Sequence, residues 1–228
     1  MGSLREASTV CLVRDTEQGL EVLMARRTLS ARFMGGAWVF PGGAVDGEDD
    51  RGRGAAHDRW LVAALRELVE ETGIRLDEQD LTYFANWITP APLPIRFDTR
   101  FFAAVAAGDT DPVVDGDELI DARWMTPADV LTEAHSGAML VAFPTRKILE
   151  YLGRFRTTDR LLIDLGAQPS VNPIQPRLAV GARTIEILMP GEPGFAEAAA
   201  GEHDPDLMVK MMQIAEAGGD VPPELRST

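Results

Sequence analysis

Three glutamates, Glu67, Glu70 and Glu71, follow Arg66 in the run Arg66-Glu67-Leu68-Val69-Glu70-Glu71-Thr72-Gly73-Ile74. On a helix turning about 100° per residue, they fall within about a third of the circumference. Side chains three and four positions apart are neighbours, so the three negative charges crowd one another. A hard divalent cation, Mg²⁺ or Mn²⁺, relieves that repulsion, because such ions take carboxylate oxygens as ligands. Arg66 stands four residues before Glu70 and can hold that side chain in one orientation. A Glu-rich run is more often a solvated helix face. Here Gly73 supplies a helix stop, the aliphatic Ile74 follows it, and the turn Phe40-Pro41-Gly42-Gly43 precedes the helix, which together favour a site.

The pattern resembles the signature of the Nudix hydrolases, Gly-x5-Glu-x7-Arg-Glu-aliphatic-x-Glu-Glu-x-Gly-aliphatic. The resemblance implies metal-assisted cleavage of a diphosphate joined to another moiety. It also implies an α/β fold in which a mixed β-sheet is sandwiched between helices. Carried onto this chain, it makes Glu67, Glu70 and Glu71 metal ligands, with the backbone carbonyl of Gly42 or Gly43 completing the shell. Arg66, Glu70 and Glu71 are then catalytic. A further carboxylate from a loop before a late strand is common in the family, and Glu118 is the candidate, with Asp115 and Asp117 as competitors. Glu70, Glu71 and Glu118 all remain open as general base. The chain departs from the signature in one respect: Arg66 stands 23 positions after Gly43 instead of 14. Counting forward from Gly43 makes Asp49 the acidic residue of the first half, whereas counting back from Arg66 makes it Asp58.

A second likeness concerns the substrate. Leu23-Met24-Ala25-Arg26-Arg27-Thr28, then Arg32, Gly36 and Phe40-Pro41-Gly42-Gly43, is similar in spacing to a motif of the coenzyme A diphosphatases within the Nudix family. Arg27, Arg32 and Gly36 match it, while Met24, Ala25 and Thr28 are near substitutions. Trp87-Ile88-Thr89-Pro90 and Arg96-Phe97-Asp98-Thr99-Arg100-Phe101 also look like that branch. The resemblance implies hydrolysis of coenzyme A or acyl-coenzyme A to 3′,5′-ADP and a 4′-phosphopantetheine species. It makes Arg27, Arg32, Gly36, Phe40, Arg96 and Arg100 substrate-binding. An ADP-ribose- or NADH-type diphosphatase, or a Nudix-fold sensor that binds a nucleotide without turnover, are the rival readings. Arginine suits phosphate because its planar fork binds oxygens in pairs. Arg27 and Arg32 could equally cap strand ends or pair with Asp15 or Glu17. Arg96 and Arg100 share a strand face with Asp98, which permits a structural Arg-Asp-Arg ladder. Trp38, Trp87 and Phe101 could stack on an adenine or pack in the core.

Composition bounds the partners. The 228 residues carry a formal charge of −14, which argues against general nucleic-acid binding and leaves a small nucleotide as the substrate class. No run of eighteen or more apolar residues occurs, so no membrane span is expected. The N-terminus lacks the apolar stretch of a signal peptide, and the single Cys11 fits a reducing cytoplasm. The histidines His57, His135 and His203 are too scattered for a transition-metal site.

The elements that must position these residues are legible from pattern and punctuation. Residues 8–14 and 20–26 read as strands joined at Thr16-Glu17-Gln18-Gly19, and 37–40 as a short third strand. A polar, Gly-rich loop over 44–56 leads to a helix capped by Asp58 that buries Leu61, Val62, Leu65, Leu68 and Val69. Residues 81–89, 96–106 and 119–125 read as strands, and 108–117 as an acidic loop. Thr126-Pro127 starts a helix running to about His135, and another spans 145–155. Residues 1–156 are expected to form the Nudix domain, and 157–228 an extension packing on it or on a second copy, as in a homodimer. Within that extension, 177–180 and 184–188 predict a hairpin around Gly181, and 206–217 a last helix.

Overall fold

A computed structural model describes residues 4–31, 34–50, 58–91, 93, 95–107, 110–180 and 185–198. β1 (Leu4–Thr16) and β2 (Gly19–Arg27) form the first hairpin, with Asp15 opposite Leu20 and Thr16 opposite Gly19. β3 (Trp38–Val39) and β4 (Gly42–Ala44) flank the Phe40-Pro41 turn. After helix α1 (Arg59–Thr72) come β5 (Thr82–Ile88), β6 (Arg96–Val105) and β7 (Leu119–Met125). Helices α2 (Pro127–Ser136), α3 (Phe143–Leu152) and α4 (Thr158–Gly166) follow, then β8 (Pro173–Ile174) and the hairpin of β9 (Arg177–Val180) with β10 (Ile185–Leu188).

The main sheet runs β3-β2-β1-β6-β5-β8, with β4 paired to β1 and β7 paired to β2. It is mixed: β1 runs parallel to β6 from Leu4–Arg96 to Val13–Val105, whereas β1–β2, β2–β7 and β5–β6 are antiparallel. Helices cover both faces, which is why β1 reads as the unbroken apolar run Val10-Cys11-Leu12-Val13 instead of an alternation. Val10 and Leu12 meet Ala64 and Leu68 of α1 on one face. Cys11 and Val13 join Ile148, Leu149, Leu161 and Leu165 of α3 and α4 on the other. No helix of the described residues is long and apolar enough to cross a membrane.

The caps behave as their residue types require. Asp58 accepts a hydrogen bond from the Trp60 N–H at the start of α1, and Gly73, at φ 71°, donates its N–H to Val69 at the end. Thr126 caps α2, with Pro127 in its first turn. Two expectations are corrected, and one helix is added. The deeply buried face of α1 is Ala63, Ala64, Leu68, Glu71 and Thr72, while Leu61, Val62, Leu65 and Val69 are only half-buried. The small side chains of Ala63 and Ala64 let the helix lie close on β1, and the larger ones fall to its flanks. Helix α3 starts at Phe143, with Pro144 in its first turn, instead of at 145. Helix α4 was not expected; Thr157 caps it and Asp15 accepts from both the N–H and the hydroxyl of Thr158 at 2.8 Å. The last helix expected over 206–217 lies outside the described residues.

The close approach of α1 to β1 is testable. Ala64→Leu forces extra volume into a fully buried position and is expected to lower stability by about 1–3 kcal/mol. Denaturant unfolding reads this directly, and an unchanged midpoint would show that the helix does not depend on small residues there.

Candidate active site

The catalytic candidates gather where α1 passes the glycine turn. The turn is held by β1: the Thr9 hydroxyl donates to the Pro41 carbonyl at 2.7 Å, and the Val10 N–H donates to the same carbonyl at 2.9 Å. Strand β4 then runs beside β1 with Gly42 opposite Thr9 and Gly43 opposite Ser8. Close approach to backbone requires the glycine at 42, and the bare backbone at 43 leaves room for a side chain from α1. A Cβ at Gly42, whose φ is 152°, would meet the Ser8 carbonyl and Thr9; a Cβ at Gly43 would occupy the space of the Glu67 carboxylate.

Glu71 is buried, and its Oε2 accepts the Gly42 N–H at 2.8 Å. Desolvation is the main reason its carboxyl is pushed up to about 8. Repulsion from Glu67 and Glu118 adds to that, and the Gly42 N–H and the Arg27 charge oppose it. Burial likewise raises the Glu67 carboxyl, with the Arg66 guanidinium pulling it down and Glu70 and Glu118 pushing it up. Glu70 is exposed.

Arg66 is the charge hub. Its Nε and Nη2 bind the two oxygens of the buried Asp49 at 3.1 and 3.2 Å, and Nη2 also donates to the Ala44 carbonyl at 3.0 Å. Its Nη1 donates to Glu67 at 2.9 Å and to Glu70 at 3.1 Å, and Asp46 stands 3.8 Å away. The predicted orientation of Glu70 by Arg66 is therefore present, within a larger network. Of the two acidic candidates in the first half of the signature, Asp49, counted from the glycine, is the one that contacts Arg66. Asp58 instead caps α1 and pairs with Arg100 at 2.9 Å.

Glu118 contributes from the loop before β7. Its carbonyl accepts the Thr28 N–H at 2.9 Å, tying the loop to the end of β2, and its charge is felt by both Glu67 and Glu71. Asp115 is committed to the backbone. Burial works against its charge, yet the N–H groups of Glu118 and Leu119, at 2.8 and 2.9 Å, hold its carboxyl below the ordinary range. Arg27 acts on Glu71 through its charge, and its buried Nε has no hydrogen-bond partner among the described residues.

The remaining candidates stand differently. Arg32 lies outside the described residues. Gly36, at φ 76°, donates its N–H to the Thr28 carbonyl and packs on Leu29, so its role there is to close a turn. Phe40 is 3% exposed and packs edge-on to Phe101, which places it in the core instead of against a ligand. Trp38, Trp87 and Phe101 are also buried, which removes them as open stacking platforms. The Arg-Asp-Arg ladder does not form: Arg96 donates to the Thr89 carbonyl, Asp98 accepts from Asn86, and Arg100 turns to Asp58. Asp15, one of the two partners open to Arg27, binds the start of α4.

The fit to a divalent cation rests on the donor set. Four carboxylates, those of Asp46, Asp49, Glu67 and Glu70, share the Arg66 guanidinium, Glu118 adds its charge, and Glu71 brings a carboxyl that a cation would help to ionise. Arg66 holds Glu67 and Glu70 to itself. Among the described residues, no three His, Cys, Asp or Glu side chains converge into a ready-made cage. The oxygen-only chemistry, the surplus of negative charge and the bare Gly43 backbone against Glu67 fit Mg²⁺ or Mn²⁺.

A family model described as the NUDIX domain matches residues 4–143. "Putative nudix hydrolase 7" of Caenorhabditis elegans is 26% identical over 227 residues, covering 83% of this chain and 74% of that protein. Phosphatase NudJ of Escherichia coli K12 is 28% identical over 121 residues, covering 53% of this chain and 69% of that protein. Among solved structures, a NUDIX hydrolase from Alicyclobacillus acidocaldarius is 28% identical with a TM-score of 0.63, covering 73% of this chain and 97% of that one.

The raised Glu71 carboxyl has a thermodynamic signature. A group that binds its proton more tightly when folded contributes stability that is complete below the ordinary value of 4.5 and is lost as pH rises through about 8. In buffer free of divalent ions, the melting temperature is expected to fall across that window. Glu71→Gln, which keeps an oxygen for the Gly42 N–H, should flatten the fall. An identical decline in wild type and variant would remove Glu71 as its source.

Proposed function

This chain belongs to the Nudix family, and from that premise we propose that it hydrolyses the diphosphate of coenzyme A or an acyl-coenzyme A, giving 3′,5′-ADP and a 4′-phosphopantetheine species. The observation that carries the hydrolytic reading is the set of carboxylates around Arg66 facing the bare backbone of Gly43. Glu67, Glu70, Glu71 and the Gly43 carbonyl would hold Mg²⁺ or Mn²⁺. When bound, the cation neutralises charge on the phosphates and makes a water more acidic.

The chain's own residues do the rest. Arg66 fixes the rotamers of Glu67 and Glu70, and Asp49, locked in a two-point contact, fixes Arg66. Glu71 is anchored by the Gly42 N–H. The Arg27 guanidinium, whose charge reaches Glu71, receives a phosphate oxygen. Glu70, the most solvent-open of the three helix carboxylates, accepts the proton of the attacking water. The water oxygen bonds to one phosphorus as the bond to the bridging oxygen breaks, and that oxygen leaves with the other phosphate. The coenzyme A assignment is supported by the spacing of Arg27, Arg32 and Gly36 ahead of Phe40-Pro41-Gly42-Gly43.

Two measurements test this. Glu70→Gln is expected to lower kcat by about 10²- to 10⁴-fold with the circular dichroism spectrum unchanged. Near-normal turnover would remove Glu70 as the base. With Mg²⁺ or Mn²⁺ present, coenzyme A should exceed dephospho-coenzyme A, ADP-ribose and NADH in kcat/KM. A higher value for ADP-ribose or NADH would overturn the substrate assignment while leaving the hydrolytic chemistry standing.

A further inference from the structure

The first turn of α1 is gripped by side chains far from the catalytic carboxylates. The Arg100 guanidinium of β6 lies 3.7 Å from the centre of the Trp60 ring and 5.3 Å from that of Tyr83, while Nη1 donates to Asp58 at 2.9 Å. Asp58 uses its other oxygen to cap the Trp60 N–H at 3.0 Å. The Ser8 hydroxyl of β1 donates to the Trp60 carbonyl at 2.6 Å, and Arg59 pairs with Glu6 of the same strand. Two strands, β1 and β6, thus hold one helical turn, and Arg100, backed by Tyr83 of β5, touches both the capping carboxylate and the Trp60 ring.

We propose that Arg100 is a positioning residue that sets the tilt of α1 over the sheet and thereby tunes the affinity of the Glu67–Glu71 cluster for a divalent cation. The inference rests on the functional reading above for what that cluster binds. The network around Arg66 ties the middle of α1 to the loop at Ala44–Asp49, and Glu71 ties its end to Gly42. Neither contact fixes the opposite end. With the middle and end of α1 so anchored, a tilt of about 5° swings the first turn, about 13 Å along the axis from Glu67, by about 1 Å and turns the Glu67 and Glu70 carboxylates relative to Gly43. Displacements of that size weaken a preorganised site.

Magnitude identifies the active part of the grip. Arg100 and Asp58 both have solvent-accessible side chains, so their ion pair alone contributes little. The contact of the guanidinium with the Trp60 ring face is the stronger element, and a lysine ammonium does not match its breadth. Arg100→Lys should therefore behave like Arg100→Ala, and Asp58→Asn, which retains helix capping, should show a milder effect.

The test compares wild type with Arg100→Ala, Arg100→Lys and Asp58→Asn, well below their melting temperatures. Mg²⁺ is titrated by calorimetry, and kcat and KM are measured at saturating Mg²⁺. The half-saturating Mg²⁺ concentration is expected to rise about tenfold in both Arg100 variants, at the lower edge of what loss of an outer support does to metal affinity. KM for coenzyme A should stay within about twofold and kcat should recover at high Mg²⁺, as expected when ground-state substrate contacts are intact. Unchanged Mg²⁺ affinity overturns the proposal. A raised KM alone would make Arg100 a substrate contact, and a lowered melting temperature alone would make the grip purely structural. If Arg100→Ala fails to fold, the other two variants decide. Wild type that binds Mg²⁺ without hydrolysing any diphosphate conjugate would sink the functional reading and leave the titration valid; wild type that binds no Mg²⁺ would sink both.

Discussion

A single guanidinium, that of Arg66, answers four carboxylates, and the geometry of the site follows from that imbalance. Asp49 is satisfied in a two-point contact and becomes a buried strut. Glu67 and Glu70 share one nitrogen and keep surplus charge, while Glu71, out of reach of Arg66, is driven toward its neutral form. Like charges held this close in a partly desolvated pocket destabilise the empty protein. A dication is the counter-charge that suits an all-oxygen donor set.

Backbone proximity makes the crowding possible. Ala63 and Ala64 bring α1 down onto β1, and Gly42 and Gly43 strip side chains from the strand it faces. A larger residue at Ala63, Ala64 or Gly42 forces the backbones apart, and one at Gly43 displaces the Glu67 carboxylate. The sheet supplies rigidity through the long parallel pairing of β1 with β6, so the turn and the helix rest on the centre of the fold instead of on its edge. Arg27 and Glu118 come from the adjoining ends of β2 and β7, joined by the Thr28–Glu118 backbone hydrogen bond.

Much of this was legible before any coordinates. The strands at β1, β2, β5, β6 and β7 show as apolar runs between turn residues, and Asp58, Gly73, Thr126 and Pro127 mark helix ends through local chemistry. The choice between Asp49 and Asp58 was not legible, because a loop of unusual length makes counting from its two ends disagree; only the contact with Arg66 separates them. Apolar periodicity also missed the buried face of α1, since alanines carry little hydrophobic weight yet decide how closely two backbones approach. Spacing alone does not place the heads of long arginines. Spacing places Arg96 and Arg100 on one face of a strand, but the flexible stem lets each head find a different partner. Helix α4 escaped notice because its core contact rests on little more than Leu161 and Leu165.

The most direct measurement is the number of protons released when Mg²⁺ binds at pH 7, obtained by calorimetry in buffers of differing ionisation enthalpy. Since the Glu71 carboxyl is held up to about 8 by burial and by Glu67 and Glu118, binding is expected to displace a proton, and fewer should leave above pH 9. No Mg²⁺ binding at all would contradict the claim that this carboxylate cluster is built around a cation, and binding with no proton displaced at pH 7 would remove Glu71 from its ligands.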